Sequence, residues 1–515
     1  MQFDLEAPEG DVFGKKFDVC ISGTGPAGMP LAIKLAEKGH RVLLLEAGGL
    51  IFSEASNKVY MGSNTGLDYF PSNVSRQRYF GGTSNHWGGQ CHVLGAGDFE
   101  ERGHVPHSGW PIKKEDLDPY FAETSSILDI KEINAPDYLQ LQGKNKNLKK
   151  TNFTASSPGA NIANIYRATN LANKYRCAIE YSENITCVLN ANVVDIKLGE
   201  NTNSVSSLTI KNYSGGSYEA RAGYYVLCHG GIENPRTLLN ANQQVKGGIG
   251  NENDLVGRFF MEHPHFNVAS ALLNHEHPAF TRYADAKQID LLTAYYEPTR
   301  VFQETKKVLN FGLRFTPKKG IGTSPEASSF KTRLKRYVCE SDTLLPLVDE
   351  AKGRIGCPYD LLIKTASEQA PNPASRIKLG KDTDRFGNLR VDVDWRMTEL
   401  DKHTLKESAL ELGRIMAQNN LGRVRLSEWI VDPTLSFPDT SQEEVGGFHH
   451  MGTTRMAASP EQGVVNENLQ VFNTSNLYIG GSSVFSTSGH VNPTFTIVQL
   501  SLRLADHLDN RINSS

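Results

Sequence analysis

Four side chains near the C-terminus carry groups that could move or hold a proton: His449, His450, His490 and Asn492. A neutral imidazole near its ordinary pKa can take a proton from a hydroxyl group at pH 7. The amide of Asn492 can donate one hydrogen bond and accept another without titrating. A buried structural histidine, or a turn-forming asparagine before Pro493, would account for the same residue types. The residues alone therefore predict a proton-transfer site and leave its base undecided.

A glycine-rich turn near the N-terminus has the spacing of a dinucleotide-binding site. Residues Gly23–Gly28 read G-x-G-x-x-G, directly after an apolar run and at the start of a helical pattern. Gly23 permits the tight turn, Gly25 lets the backbone approach a pyrophosphate, and Gly28 allows close packing of the helix on the strand. Glu46 follows the next apolar run, where its carboxylate can accept hydrogen bonds from ribose hydroxyls. The pattern predicts a bound dinucleotide and does not distinguish FAD from NAD.

The whole chain has the composition of an ordinary globular protein. Of its 515 residues, 39% are hydrophobic and 22% are charged, and its formal net charge is -3. This charge favours neither nucleic acid nor an anionic membrane surface as a partner. Seven scattered cysteines without a C-x-x-C pair argue against a disulfide framework or a metal site. The acidic N-terminus has no apolar leader, and the chain has no run of about 18 apolar residues, so we expect a cytoplasmic protein without a membrane span.

The elements that must position these residues begin with a β-α-β pattern. Phe17–Ser22 and Arg41–Leu45 are continuous apolar runs, which predict buried strands of a parallel sheet, with a helix at Pro30–Lys38 between them. Further strands are predicted at 185–189, 193–198, 206–211, 224–227, 308–315, 388–395 and 477–479. Further helices are predicted at 114–128, 402–418 and 494–508. This order suggests cofactor-binding elements at both ends of the chain, enclosing a central part.

Five groups of segments resemble, in their order along the chain, the glucose–methanol–choline (GMC) oxidoreductase family, whose members bind FAD. The segments are Glu46–Gly49 with Gly81–Trp87, Gly230–Leu239, Asp254–Arg258 with Glu262–Pro264, His449–Met456, and Asn492–Thr496. The H-W dipeptide at 86–87 and the closing N-P-T-x-T are most similar to pyranose oxidases and sugar 3-oxidase or 3-dehydrogenase members. The central part of the chain is not diagnostic.

The resemblance implies roles for the C-terminal candidates. His449 matches the family's general base in the H-x-x-G-T pattern, so it is the expected base. Asn492 matches the second catalytic position, which is asparagine in pyranose oxidases and histidine in glucose oxidases. A His449/His490 pair is the second alternative, and His450 is expected to be structural or to line the site. Gln369, His450 and His490 are the candidates for substrate contact.

The resemblance also implies which residues contact FAD. Residues 81–89 are expected to touch the isoalloxazine ring. His86 matches the histidine that carries a covalent flavin bond in choline oxidases and pyranose oxidases, and a histidine that only packs against the flavin is the alternative. The expected FAD contacts are Gly23, Gly25, Gly28, Glu46, Gly82, Asn85, His86, Trp87, Val194, Pro493 and Thr494.

The fold implied by the resemblance is α/β. We expect a Rossmann-like FAD-binding domain of the GMC and p-hydroxybenzoate hydroxylase type, with an inserted α+β substrate-binding domain built on an antiparallel sheet. The FAD-binding domain is predicted at 13–99, 184–267 and 445–515. A connecting and flavin-covering region is predicted at 100–183, and the substrate-binding domain at 268–444.

The expected activity is FAD-dependent oxidation of a primary or secondary alcohol, with a sugar or glycoside as substrate and oxygen or another molecule as electron acceptor. Tyr295, Tyr296 and Trp395 suit a sugar pocket, and they suit the core of a sheet equally well. The alternatives are oxidation of a non-sugar alcohol, a hydroxynitrile-lyase-like flavoprotein without net redox change, a non-catalytic flavoprotein, and an NAD-dependent dehydrogenase. The flavin-type motifs oppose the last of these, and the presence of both His449 and Asn492 opposes the third. The oligomeric state is left open.

Overall fold

The computed structural model describes residues 1–7, 12–130, 147–155, 168–274, 292–317, 337–338, 341, 343–344, 347–348 and 360–514. Parts of the predicted connecting region and of the predicted substrate-binding domain lie outside these residues, as do Cys339 and Cys357. The five cysteines within them, Cys20, Cys91, Cys177, Cys187 and Cys228, are free thiols. No helix in the described ranges is long and apolar enough to cross a membrane.

The strands of these ranges are numbered in chain order. They are β1 (Gln2–Asp4), β2 (Phe17–Ser22), β3 (Val42–Leu45), β4 (Ser63–Asn64), β5 (Gln90–Cys91), β6 (Leu148–Ala155), β7 (Ile185–Leu189), β8 (Asn192–Leu198), β9 (Val205–Lys211), β10 (Ser217–Ala220), β11 (Ala222–Leu227), β12 (Asn267–Leu273), β13 (Leu292–Pro298), β14 (Phe311–Pro317), β15 (Asp360–Ser367), β16 (Arg376–Thr383), β17 (Leu389–Asp394), β18 (Gly422–Leu426) and β19 (Leu477–Ile479).

The α-helices of the same ranges are numbered in the same way. They are α1 (Gly28–Glu37), α2 (Glu54–Asn57), α3 (Ala96–Phe99), α4 (Phe121–Ile127), α5 (Leu171–Glu180), α6 (Gly230–Asn240), α7 (Arg300–Lys306), α8 (Glu399–Gln418), α9 (Glu428–Val431) and α10 (Thr494–Asn513). Short 3-10 turns also occur, and one of them, Gly82–Asn85, belongs to the site described below.

A six-stranded parallel sheet forms the centre of the predicted cofactor-binding part. Its order is β1-β7-β3-β2-β11-β19, and every pairing in it is parallel. The strands β3 and β7 are buried along their whole length, because helices cover both faces of a parallel sheet. The predicted β-α-β unit is confirmed as β2, α1 and β3. The sheet is extended at one edge by β1, which the sequence patterns did not predict.

A seven-stranded sheet forms the centre of the second part. Its order is β18-β12-β15-β14-β13-β6-β5, and all of its pairings are antiparallel. One face carries Leu313 and Ile363, which pack in a core with Leu412 of α8. Tyr295 of β13 packs instead with the core around the parallel sheet. The antiparallel sheet therefore turns one face to its own helix and the other to the core around the parallel sheet, and the predicted fold class is confirmed.

Two boundaries differ from the sequence patterns for local reasons. The predicted helix at 114–128 is instead a pair of 3-10 turns, Lys114–Asp116 and Asp118–Tyr120, followed by α4. Pro119 lies in the second turn, where it lacks an N–H and restricts the residue before it. The helix predicted at 402–418 begins earlier, at Glu399, since Thr398 and Asp401 form a capping box.

The predicted domain division remains a prediction. Two strands of the antiparallel sheet come from chain segments assigned elsewhere: β5 lies within the predicted FAD-binding domain and β6 within the predicted connecting region. Short segments of this kind lack a long apolar pattern, so their sheet partners depend on the tertiary structure.

Candidate active site

The turn between β2 and α1 has the geometry of a pyrophosphate cradle. Gly23 has a φ of 107°, and a Cβ atom there would lie 2.5 Å from the carbonyl oxygen of Cys228. A Cβ atom on Gly25 would meet nothing within 4 Å, so this position faces open space at the amino end of α1. Backbone N–H groups and the positive end of the helix dipole favour a phosphate at such a place. The turn therefore fits the diphosphate of a dinucleotide.

The third glycine of the turn provides a test of this cradle. A Cβ atom on Gly28 would lie 1.8 Å from the carbonyl oxygen of Gly23, so any side chain must force the turn away from α1. We expect Gly28→Val to yield protein with little or no flavin, as measured by the ratio of visible to protein absorbance. Gly103→Ala is the matched control, because a Cβ atom there meets nothing within 4 Å. A Gly28→Val protein with the full flavin content of the wild type would contradict the cradle.

The carboxylate of Glu46 lies at the carboxyl end of β3, as the sequence pattern predicts. It is buried and accepts hydrogen bonds from the Thr24 hydroxyl at 2.5 Å and from the Gly48 N–H at 2.9 Å. Next to it, Ala47 and Val194 line a partly open cavity of about 50 Å³. Glu46 thus lies at the carboxyl end of a parallel strand, where such ligands bind, and Val194 lines the neighbouring cavity from β8. These residues fit the adenosine end of FAD.

The segment Gly82–Trp87 packs directly on the glycine turn. A Cβ atom on Gly82 would lie 3.3 Å from Cα of Gly25, and the Gly81 N–H donates to the Thr24 hydroxyl at 2.9 Å. The Asn85 amide closes the 3-10 turn by donating to the carbonyl oxygens of Phe80 and Gly82. His86 follows at the end of this turn, where it is exposed, and Trp87 donates its indole N–H to the Thr169 carbonyl oxygen at 2.8 Å. Gly82 therefore contacts the cradle directly, and the predicted contacts Asn85, His86 and Trp87 follow it in the same segment.

Three chain segments interlock around His449. The N–H groups of Gly452, Thr454 and Met456 donate to the carbonyl oxygens of Ser482, Ser483 and Val484. On the other side, Met451 exchanges two backbone hydrogen bonds of 3.0 Å with Met261. These ladders bring the H-x-x-G-T segment, the E-H-P segment and the chain leading to Asn492 into contact.

His449 itself is half-buried, and its backbone and ring are both held. Its N–H lies 2.8 and 2.7 Å from the two carboxyl oxygens of Glu262, and burial raises the pKa of this carboxyl group to about 8. Its ring nitrogen Nδ1 lies 3.0 Å from Nδ1 of His263. Burial, together with the neighbouring His263 and His450, holds the pKa of His449 well below its usual range. The imidazole is therefore neutral at pH 7, which is the state that a general base needs.

Asn492 and His490 approach the site from the turn before α10. The Asn492 amide donates to the Gln90 carbonyl oxygen at 2.7 Å, and Pro493 and Thr494 begin the helix. His490 is fully buried, with Nε2 3.1 Å from a carboxyl oxygen of Glu297 on β13. The amide of Asn492 thus has a fixed orientation, and His490 lies against a carboxylate of the antiparallel sheet.

The other two candidates for substrate contact are buried in hydrogen-bond networks. The Nε2 atom of His450 lies 2.9 Å from the Tyr69 hydroxyl, and burial lowers the pKa of this histidine to about 3. Oε1 of Gln369 accepts from the Glu262 N–H and from the Trp395 indole N–H, both at 2.9 Å. In these positions the two side chains support the backbone around His449, and their contact with substrate remains a prediction.

The sequence analysis quoted Glu262 and His263 as part of a family segment but gave neither residue a role. Both contact His449, which lies 187 and 186 positions away along the chain. Helix and strand periodicities indicate only local neighbours, so the sequence pattern cannot show contacts between residues this far apart. The only available signal was the E-H-P segment itself, with its ionisable groups next to a proline. In the described part of the chain no group of three or more His, Cys, Asp or Glu residues could hold a metal ion.

Comparisons with known proteins agree with this geometry. The family model described as GMC oxidoreductase matches residues 371–501, which include His449 and Asn492. The chain is 23% identical to a 2-methyl-1,2-propanediol dehydrogenase from Mycolicibacterium austroafricanum, covering 96% of each protein. It is also 23% identical to a fructose dehydrogenase large subunit from Gluconobacter japonicus, covering 96% of this chain and 98% of that one.

The fold is similar to a solved structure as well. The crystal structure of pyridoxine 4-oxidase from Mesorbium loti superposes with a TM-score of 0.52 at 17% identity, covering 95% of this chain and 99% of that chain. At 17% identity, the similarity between the two structures shows a common fold and nothing about the substrate.

Proposed function

We propose that this chain, whose residues 371–501 match the GMC oxidoreductase family model, oxidises a primary or secondary alcohol of a sugar or glycoside, with His449 as the base. The observation that carries the proposal is the state of His449: a neutral, half-buried imidazole whose backbone is held by Glu262 and whose segment is hydrogen-bonded to residues 482–484. A base held in this way is ready to accept a hydroxyl proton.

The glycine turn, His449 and Asn492 have different roles in the proposed reaction. Bound FAD, held by the glycine turn, would supply the acceptor for the hydride that leaves the carbinol carbon. His449 takes the hydroxyl proton. Asn492 follows one of the segments that interlock around His449, and its side chain orients the alcohol oxygen. Oxygen or another molecule would serve as the final electron acceptor.

The polar face of the antiparallel sheet supports a sugar over an apolar alcohol. Arg314 and Lys364 are directly opposed on β14 and β15, and Tyr295 is hydrogen-bonded to Arg314. Gly312 lies two residues before Arg314 and so on the same face, and a Cβ atom there would lie 2.9 Å from the ring of His490. The face with these polar side chains is therefore the one turned to the catalytic segments. A polyhydroxylated substrate can form hydrogen bonds with the donors and acceptors of this face.

The substrate proposal is tested with a dye acceptor and three matched alcohol series: free sugars and methyl glycosides, short aliphatic diols, and sterols. We expect kcat/KM to be highest in the first series, because loss of hydrogen bonds to buried polar groups penalises the other two. A preference for diols or sterols would contradict the sugar assignment and leave alcohol oxidation standing.

A covalent bond between FAD and His86 is the finer part of the proposal on the cofactor. The support is the position of the exposed His86 at the end of the turn whose Gly82 packs on Gly25. We expect the flavin of the wild type to stay with the acid-precipitated protein, and that of His86→Ala to be released into the supernatant. A wild-type protein that releases all its flavin in acid would show that His86 only packs against the cofactor.

A further inference from the structure

His263 is a fully buried histidine with a partner at each ring nitrogen. Its Nε2 lies 3.2 Å from the carbonyl oxygen of Ser488, and its Nδ1 lies 3.0 Å from Nδ1 of His449. The two rings meet edge to face, with centroids 5.0 Å apart and an interplanar angle of 77°. The three groups therefore form a chain that runs from a backbone carbonyl, through His263, to the base.

The carbonyl oxygen decides where the proton of His263 lies. A carbonyl oxygen accepts hydrogen bonds and cannot donate them, so Nε2 of His263 must carry the hydrogen. Burial lowers the pKa of His263 to about 4, so at pH 7 the ring is neutral and has only one N–H. Its Nδ1 is then a bare acceptor, and the hydrogen between the two Nδ1 atoms belongs to His449.

The tautomer of His449 follows from the same reasoning. A neutral His449 with its hydrogen on Nδ1 has a bare lone pair on Nε2. The opposite arrangement would place a hydrogen on Nε2 of His449, and that nitrogen could not accept a proton. It would also leave the Ser488 carbonyl oxygen without the His263 donor.

We propose that His263 is a positioning residue, fixed by the Ser488 carbonyl group, that selects the His449 tautomer with a bare Nε2. This inference rests on the proposed function, in which His449 takes the hydroxyl proton. That proton goes to Nε2, Nδ1 keeps its hydrogen, and the imidazolium that forms continues to donate to Nδ1 of His263. A carboxylate performs this selection in the serine-protease triad; here a neutral imidazole does so.

The first test is the 15N NMR spectrum of the full-length, FAD-loaded protein labelled at histidine. His449→Ala identifies the resonances of the base by their loss. We expect the wild-type His449 to show a protonated Nδ1 and a bare Nε2 at pH 7. A protonated Nε2 with a bare Nδ1 would overturn the proposal without any further variant.

The second test uses two substitutions of His263 in the same protein. His263→Leu removes the acceptor, so we expect the His449 signature to change and the rate of anaerobic flavin reduction at saturating alcohol to fall by about 10- to 100-fold. In His263→Asn, the amide oxygen can take the place of Nδ1, so the signature and most of the rate should return. Unchanged signature and rate in His263→Leu would overturn the proposal.

The two readouts separate this inference from the proposed function. If no alcohol reduces the flavin of the wild type but His449 still has a bare Nε2 that depends on His263, the proposed function fails and the tautomer selection holds. If alcohols reduce the flavin while Nε2 carries the hydrogen, only the role of His263 fails.

Discussion

Replacing His449 with alanine is expected to leave FAD bound and to slow its anaerobic reduction by alcohol by about 10²- to 10⁴-fold. The imidazole is the neutral group at the meeting point of the three interlocked segments, and its removal leaves the hydroxyl proton without an acceptor. The glycine turn and the segment Gly82–Trp87 make no use of its side chain. The measurement is stopped-flow absorbance of the bound flavin, alongside its resting spectrum.

A second histidine serves as the control for this prediction. His403 of α8 is exposed, and its Nε2 lies 2.9 Å from the Lys306 carbonyl oxygen. We expect His403→Ala to reduce its flavin at the wild-type rate. If flavin reduction in His449→Ala also proceeded at the wild-type rate, His449 would not be the base, and His490 would become the leading candidate.

Replacing Arg102 with leucine is expected to lower the free energy of unfolding by about 3–5 kcal/mol. The side chains of Arg102 and Glu368 are both fully buried, and two hydrogen bonds of 2.8 and 2.5 Å join them. Leucine would leave the carboxylate buried without its guanidinium partner, and the Asn310 N–H, which donates to it at 2.9 Å, would offset little of that loss. Urea denaturation of the two proteins measures the difference.

An exposed ion pair provides the matched control. Lys34 and Glu123 lie 2.8 Å apart with side chains that are 25% and 39% exposed, so Lys34→Leu should cost no more than about 1 kcal/mol. An equal loss of unfolding free energy in Arg102→Leu and Lys34→Leu would contradict the claim that burial makes the Arg102–Glu368 pair the more important one.

The dependence on pH should have a definite sign. Burial alone would raise the pKa of Glu368, but the Arg102 guanidinium holds it below its usual range. The pair therefore stabilises the fold above the ordinary glutamate pKa of about 4.3, and this contribution is lost as pH falls through the lowered pKa. The gap in unfolding free energy between wild type and Arg102→Leu should accordingly narrow in acid.

The parts of the fold that could be predicted from the sequence are those encoded over short distances. The β-α-β unit was predictable because buried parallel strands are apolar throughout, as in Phe17–Ser22, and because only glycine fits the contact between Gly28 and Gly23. The resemblance to GMC oxidoreductases, and with it the oxidation of a CH–OH group, was predictable from short segments such as His449–Met456. The helix predicted at 114–128 was right only for α4, because the residues around Pro119 form 3-10 turns instead.

The surroundings of the base could not be predicted in the same way. Which side chain lies against Nδ1 of His449 depends on the ladder between Met261 and Met451, and which group fixes His263 depends on the position of the Ser488 carbonyl. Every residue has a backbone carbonyl group, so the residue type at position 488 does not indicate this contact. The tautomer that we propose for His449 therefore depends on tertiary contacts, which no local sequence pattern encodes.

The central claim is tested most directly by the visible spectrum of the purified protein, recorded without oxygen before and after addition of sugars, glycosides and simple alcohols. We expect a yellow protein whose oxidised-flavin band bleaches with a sugar or glycoside, because the hydride of the substrate passes to the flavin. A flavin band that persists with every alcohol would contradict alcohol oxidation by this chain, and a lyase reaction without net redox change would then take precedence.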